Sequence, residues 1–329
     1  MSDIAARIGP ETPSRAILLI LISMVCISVN DMLIKLLSGD YPLHQMVFVR
    51  SAIGLVITLV IVRVQGGWRL LRTETPVLHL IRAFLLVAAN MLYFSALAVM
   101  PLGVATALFF VAPLFITLLA IPVLGETVGR HRITALLIGF AGVAVMAAPG
   151  TDWADVPRSA LALPIAAAAC YAGMQVMTRK LGAKSPAVAM ATYVQSAFLV
   201  VSVLFFLSVG DGRFAERVDS ESLVFLLRAW VWPAPADLWK FALMGVMVGV
   251  IGYSLAQAYR IGNPATVASY EYVALPMAIG FGWVVFGEVP TPVMVLGAAL
   301  IAGAGIYVFA RERRRGGRGP AADRPLRRG

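Results

Sequence analysis

The chain has 329 residues, of which 60% are apolar and only 13% charged, and it carries a net charge of +10. Soluble domains hold roughly 45–50% apolar residues and about 25% charged ones, so a water-soluble globule of this composition would expose large sticky surfaces. The positive charge does not indicate nucleic acid: eight arginines, from Arg311 to Arg328, crowd beside a final hydrophobic run, and no nucleic-acid-binding motif surrounds them.

A membrane span needs about 20 mostly apolar residues, and backbone groups cannot stay unpaired in lipid, so such runs must be helical. The predicted spans are 16–37, 46–64, 79–99, 102–124 and 132–148, then 159–179, 187–209, 240–259, 264–286 and 292–310. The first follows Arg7 and Arg15 as a signal peptide would. It runs into Asn30-Asp31 without an A-x-A-like cleavage site, and therefore reads as a retained helix. The expectation is an all-α membrane protein of ten transmembrane helices. Its parts are a cytoplasmic segment 1–15, two five-helix units at 16–150 and 159–310, and a basic cytoplasmic tail 311–329. The bilayer, read as a bacterial inner membrane, is its first partner.

Loop charges orient the spans. With the N-terminus inside, nineteen of the 27 Lys and Arg residues fall on cytoplasmic segments, five fall outside and three lie within spans. Both termini are expected inside. One long outward loop, about 210–239, carries Asp219-Ser220-Glu221, Leu223 to Leu227, then Trp230, Trp232 and Trp239. It reads as a short amphipathic helix on the outer interface, with a substrate lid as the alternative.

The two halves resemble each other. Val123-Leu124-Gly125-Glu126 answers Val285-Phe286-Gly287-Glu288, and Phe140-Ala141-Gly142-Val143 answers Gly303-Ala304-Gly305-Ile306. Cys26, Asp31 and Lys35 align at one offset with Cys170, Gln175 and Arg179; Arg50-Ser51 aligns with Gln195-Ser196 one residue out of frame. Five spans is an odd number, so the second copy must be inverted. The charges agree: Arg130 and Arg132 follow the first Gly-Glu, whereas uncharged Val289-Pro290-Thr291-Pro292 follows the second.

On Arg50, Asn90 to Ala96, Ala107 to Glu126, and Pro264 to Glu288 with Tyr270-Glu271-Tyr272 and Pro276, the chain resembles the drug/metabolite transporter superfamily, EamA type. The resemblance spans nearly all of 16–310. It implies two inverted five-helix EamA repeats and a carrier of a small organic metabolite, amino-acid, nucleoside or vitamin-like.

A charge at the helix centre costs about 2.5–3.5 kcal/mol on insertion scales, so charges within spans should face the protein or water. Asp31, Arg50, Arg82 and Glu271 qualify. Glu271, seven residues into the ninth span, is the candidate to bind a cationic group or a coupling proton; a structural carboxylate is the bland reading. Arg50, about four residues into the second span, either joins an ion pair of Asp31 with Lys35 or Arg50, or offers its fork to a carboxylate or phosphate. Arg82, near a helix end, is expected to snorkel. Asn90, Tyr93, Gln175, Gln195, Gln257 and Tyr270, with Asn30, Tyr193 and Tyr253, are the candidate cavity-lining polar groups. Pro113 and Pro276 are candidate helix breaks at corresponding positions, which points to a central site.

Gly245-x-x-x-Gly249 allows close helix approach, first for internal packing and second for a homodimer. Cys26 and Cys170 lie in hydrophobic runs and read as packing residues. No metal-ligand spacing, phosphate loop or nucleophile motif occurs, so no metal, cofactor or catalytic residue is expected. The reading is a secondary-active or facilitative carrier working by alternating access. A lipid-carrier flippase is the near alternative and an integral membrane enzyme the far one.

Overall fold

A computed structural model describes residues 13–125, 130–148, 156–181, 186–261, 267 and 270–316. Among them the helices are α1 (Pro13–Leu37), α2 (Leu43–Gln65), α3 (Pro76–Leu97), α4 (Leu102–Phe109), α5 (Ala112–Leu124) and α6 (Arg130–Met146). There follow α7 (Ala162–Leu181), α8 (Ala187–Val209), α9 (Glu221–Leu227), α10 (Leu238–Ile261), α11 (Ala274–Phe286) and α12 (Pro292–Gly316). No strand occurs among the described residues. Among the described residues seven helical stretches are long and apolar enough to cross a bilayer, and the apolar parts of α6, α11 and α12 are shorter. Glu126, Lys184, Pro264, Thr266, segment 1–12 and the tail beyond Gly316 lie outside the described residues.

Two helices are interrupted in the same way. After α4, Phe110 and Val111 form a turn before α5; after the helical residues Tyr270 and Glu271, Tyr272 and Val273 form a turn before α11. Pro113 and Pro276 stand in the first turns of α5 and α11. A proline ring there clashes with the carbonyl four residues back and donates no N–H, so the preceding helix ends one turn earlier. The two 13-residue helices lie 162 positions apart, 112 to 274 and 124 to 286. Each ends on a left-handed glycine, Gly125 at φ 70° and Gly287 at φ 67°, which a Cβ would strain.

Packing is local and close. α3 lies on α7, α6 on α12, α1 on α10, α2 on both α8 and α10, α5 on α7, and α4 on α11. Small residues set the approach. A Cβ at Gly142 would stand 2.9 Å from the Gly297 carbonyl across the α6–α12 contact. Gly245 and Gly249 face Ile53 and Ile57 of α2, so the Gly-x-x-x-Gly motif serves internal packing.

Candidate functional site

The end of the bundle that carries residues 210–237 is capped. α9 packs one face onto the bundle: Phe225 is 1% exposed, and Ser222 Oγ donates to the Ser95 carbonyl at the end of α3. Gln45 at the start of α2 bonds Val231 twice, donating to its carbonyl at 2.6 Å and accepting from its N–H at 3.2 Å. Tyr41 donates to Asp237 and accepts from the Ala234 N–H, and Arg228 donates to the Ser38 and Gly39 carbonyls. Burial pushes the Tyr41 phenol up from its ordinary value, so it stays protonated as a donor. Trp230 packs among His44, Phe48 and Phe206, whereas Trp232 is 95% exposed.

Beside this cap lies an ion pair. Lys35 Nζ is 2.9 Å from Glu288 and donates to the carbonyls of Met100 (2.6 Å) and Leu97 (3.2 Å). The other Glu288 oxygen accepts from the Leu102 N–H that opens α4, at 2.8 Å. Lys35 thus closes α1 against the α3–α4 and α11–α12 connections. This corrects the expectation that Lys35 serves Asp31 one turn earlier; the side chain reaches the helix end instead, where free carbonyls and a carboxylate meet it.

Deeper in the same bundle is a buried polar cluster. Helix α2 begins three residues before the expected span, so Arg50 is its eighth residue, roughly 10 Å from its start at 1.5 Å per residue. Arg50 is 3% exposed and donates from one terminal nitrogen to Asn30 Oδ1 at 3.4 Å and from the other to Asn90 Oδ1 at 3.2 Å. Asn30 in turn donates to Asp31 Oδ1 at 3.2 Å. Among the described residues Arg50 makes no direct ion pair; Asn30 stands between it and Asp31. The Phe94 and Phe198 rings flank the guanidinium, at 4.9 and 5.4 Å from their centroids. Tyr93 faces Asp31 and pairs with Thr106 Oγ1 at 2.8 Å. Because Thr106 donates its proton to the Leu102 carbonyl, Tyr93 is the donor in that pair.

Gln195, 4% exposed, sits one turn below Phe198 on α8 and packs against Gly54, one turn below Arg50 on α2. From Tyr93 an aromatic line runs through Phe109 (5.2 Å) to Tyr171 (5.4 Å). There Gln175 donates to the Tyr171 hydroxyl at 2.7 Å, with Glu271 and Arg82 within electrostatic reach. Arg82 donates to Thr178 at 2.6 Å, so it turns inward to α7 rather than snorkelling. Gln257 lines a narrow cleft between α2, α8 and α10, with Thr58, Ala191, Gly252 and Tyr253. Tyr270 is half-buried against apolar residues that include Ala16 and Ile20. At the two helix breaks, Phe110 and Tyr272 stack at 4.9 Å.

The structure therefore gathers Asp31, Arg50, Asn90 and Tyr93, with Gln195 a turn away, and places Gln175 on Tyr171, which Glu271 reaches electrostatically. The sequence reading missed Glu288, Thr106, Tyr171 and the two phenylalanines at Arg50. The repeat offered one usable signal, since Glu288 is the counterpart of Glu126 and Lys35 of Arg179.

Comparison with known proteins places this geometry in context. The EamA-like transporter family matches residues 14–148. A riboflavin transporter of Vibrio cholerae serotype O1 is 30% identical over 262 residues, 79% of this chain and 80% of that protein. An S-adenosylmethionine uptake transporter of Rickettsia prowazekii is 26% identical over 294 residues, 89% of this chain and 92% of that protein. A solved crystal structure shares the fold, with a TM-score of 0.63 at 20% identity over 92% of this chain and 99% of that one.

Proposed function

Because the chain belongs to the EamA-like transporter family, within the drug/metabolite transporter superfamily, we propose that it carries a small heterocyclic metabolite across the bacterial inner membrane by alternating access. It is a multi-pass membrane transporter and not an enzyme. The riboflavin and S-adenosylmethionine of the relatives' names both contain a planar nitrogen heterocycle with a polar arm. Vitamin-like or nucleoside-like compounds are therefore the leading cargo.

The observation that carries the reading is a buried Arg50–Asn30–Asp31–Asn90 network beneath a closed cap. Oil-like helices have no structural need for such a network, and its groups are expensive to hold away from water. We read the capped end as the periplasmic face, from the charge asymmetry of the loops, with both termini cytoplasmic. The state described is then closed to the outside by Lys35–Glu288 and the 210–237 segment.

Ten spans in two inverted units are the architecture this implies. Packing supports it: let α1, α2, α3, α5 and α6 exchange with α7, α8, α10, α11 and α12. The α3–α7 contact then becomes α10–α1, α5–α7 becomes α11–α1, and α2–α8 and α6–α12 become themselves. Rocking one such unit against the other exposes a shared site to each side in turn.

Uptake by the purified protein in liposomes tests the function. Labelled riboflavin, S-adenosylmethionine, a nucleoside and an amino acid are compared with protein-free vesicles. Saturable uptake of a heterocyclic compound is expected; no protein-dependent uptake of any of them would end the reading.

A further inference from the structure

We propose that the seam between α2 and α8 recognises the neutral imide or amide edge of a planar heterocycle, with Arg50 donating to its carbonyl and Gln195 accepting from its N–H. This rests on the carrier reading above and names the chemistry its site selects.

Several buried polar atoms on α2 and α8 lack hydrogen-bond partners among the described residues; deepest at the polar cluster are Arg50 Nε, a donor, and Gln195 Oε1, an acceptor. Buried groups of this kind are nearly always satisfied in native proteins, and an exception in a carrier is a place for cargo. Arg50 meets Phe198, and Gln195 meets Gly54, so the donor and acceptor stand one turn apart on the same helix pair. A ligand C=O next to an N–H is the complement of that pair. Uracil, thymine, guanine and flavins carry this edge, and adenine does not.

Charge favours a neutral group. Both terminal nitrogens of Arg50 already donate, to Asn30 and Asn90, and Asp31 supplies the counter-charge through Asn30. A carboxylate would bring a third charge into a balanced, water-poor cluster, where ionic groups without compensation are costly. The Phe94 and Phe198 rings that flank the guanidinium provide faces for a flat ring.

A narrow cleft lies about one turn from the seam. The cleft between α2, α8 and α10 includes Thr58, one turn below Gly54, and Ala191, one turn below Gln195. Gly54 lets Gln195 pack directly against α2: a Cβ there would stand 2.9 Å from Gln195 Nε2 and 3.3 Å from Val248.

The test measures uptake by wild-type proteoliposomes of two matched pairs: riboflavin against 3-methylriboflavin, and uracil against orotate. The first pair differs by the imide N–H, the second by an added carboxylate. At least a tenfold preference for the free imide and for the neutral ring is expected. In the Gln195→Leu protein the preference for riboflavin over its methyl derivative should collapse to within twofold. Uptake indifferent to methylation, preference for orotate, or an unchanged ratio in Gln195→Leu overturns the inference and leaves the carrier reading standing. Absence of uptake for all four compounds overturns the inference; only if S-adenosylmethionine, a nucleoside and an amino acid are also not taken up does the carrier reading fall with it. The wild-type comparison decides the matter even where the variant does not fold.

Discussion

A buried arginine must be held by several groups at once, because each unmet N–H in a water-poor interior adds to an already large desolvation cost. Arg50 is held by two asparagine acceptors, two aromatic faces and the charge of Asp31 behind Asn30. Lysine keeps the charge but loses the planar fork that spans Asn30 and Asn90. Hydrogen bonds to charged groups are worth about 1.5–3 kcal/mol, and tenfold in rate is about 1.4 kcal/mol. Arg50→Lys should therefore lower uptake at least about tenfold in proteoliposomes of equal protein content, while the protein still elutes as a single species. Glu271 lies within electrostatic reach of Tyr171, which Gln175 holds on α7. Glu271→Gln removes its only titrating proton, so the dependence of uptake on pH should flatten or the apparent affinity change. Identical pH profiles and affinities would remove Glu271 from the transport machinery.

At the scale of elements, the broken helices and the cap are the parts with somewhere to move. Proline placement made both interruptions legible in sequence, because the chemistry of a proline acts on the residues just before it. The Lys35–Glu288 pair was not legible. A helical spacing of four points Lys35 at Asp31, and only tertiary structure shows the chain end of α11 arriving beside it. Glu288→Gln keeps an acceptor for the Leu102 N–H but takes away the charge that holds Lys35. With Cys26 and Cys170 replaced by alanine, a cysteine at the fully buried Ser51 should then react several-fold faster with an impermeant maleimide added outside. An unchanged labelling rate would mean that this pair does not keep the outer side shut. The helix contacts are less forgiving. Gly142→Ala drives a methyl toward the Gly297 carbonyl, which is backbone and cannot rotate away. Overpacking of this kind costs about 1–3 kcal/mol, so the thermal midpoint in detergent should fall by several degrees.

The whole molecule was the most legible scale. Span positions follow from hydropathy, because lipid demands helices of a certain length; seven helical stretches among the described residues are long and apolar enough to cross, and several begin or end a few residues from the expected bounds. Those few residues mattered: they set Arg50 about one turn deeper than its position in the sequence implied. The grouping of Asp31 with Asn90 and Tyr93 could not be read from the chain, since it depends on how α1 and α3 pack rather than on any spacing within them. A carrier built from two units that rock about one shared site binds cargo on one side before it can release cargo on the other. Counterflow in proteoliposomes tests that most directly. Vesicles preloaded with unlabelled riboflavin should take up labelled riboflavin transiently above the equilibrium level, several-fold faster than empty ones. Uptake that never overshoots, at the same rate with and without preloading, would contradict alternating access.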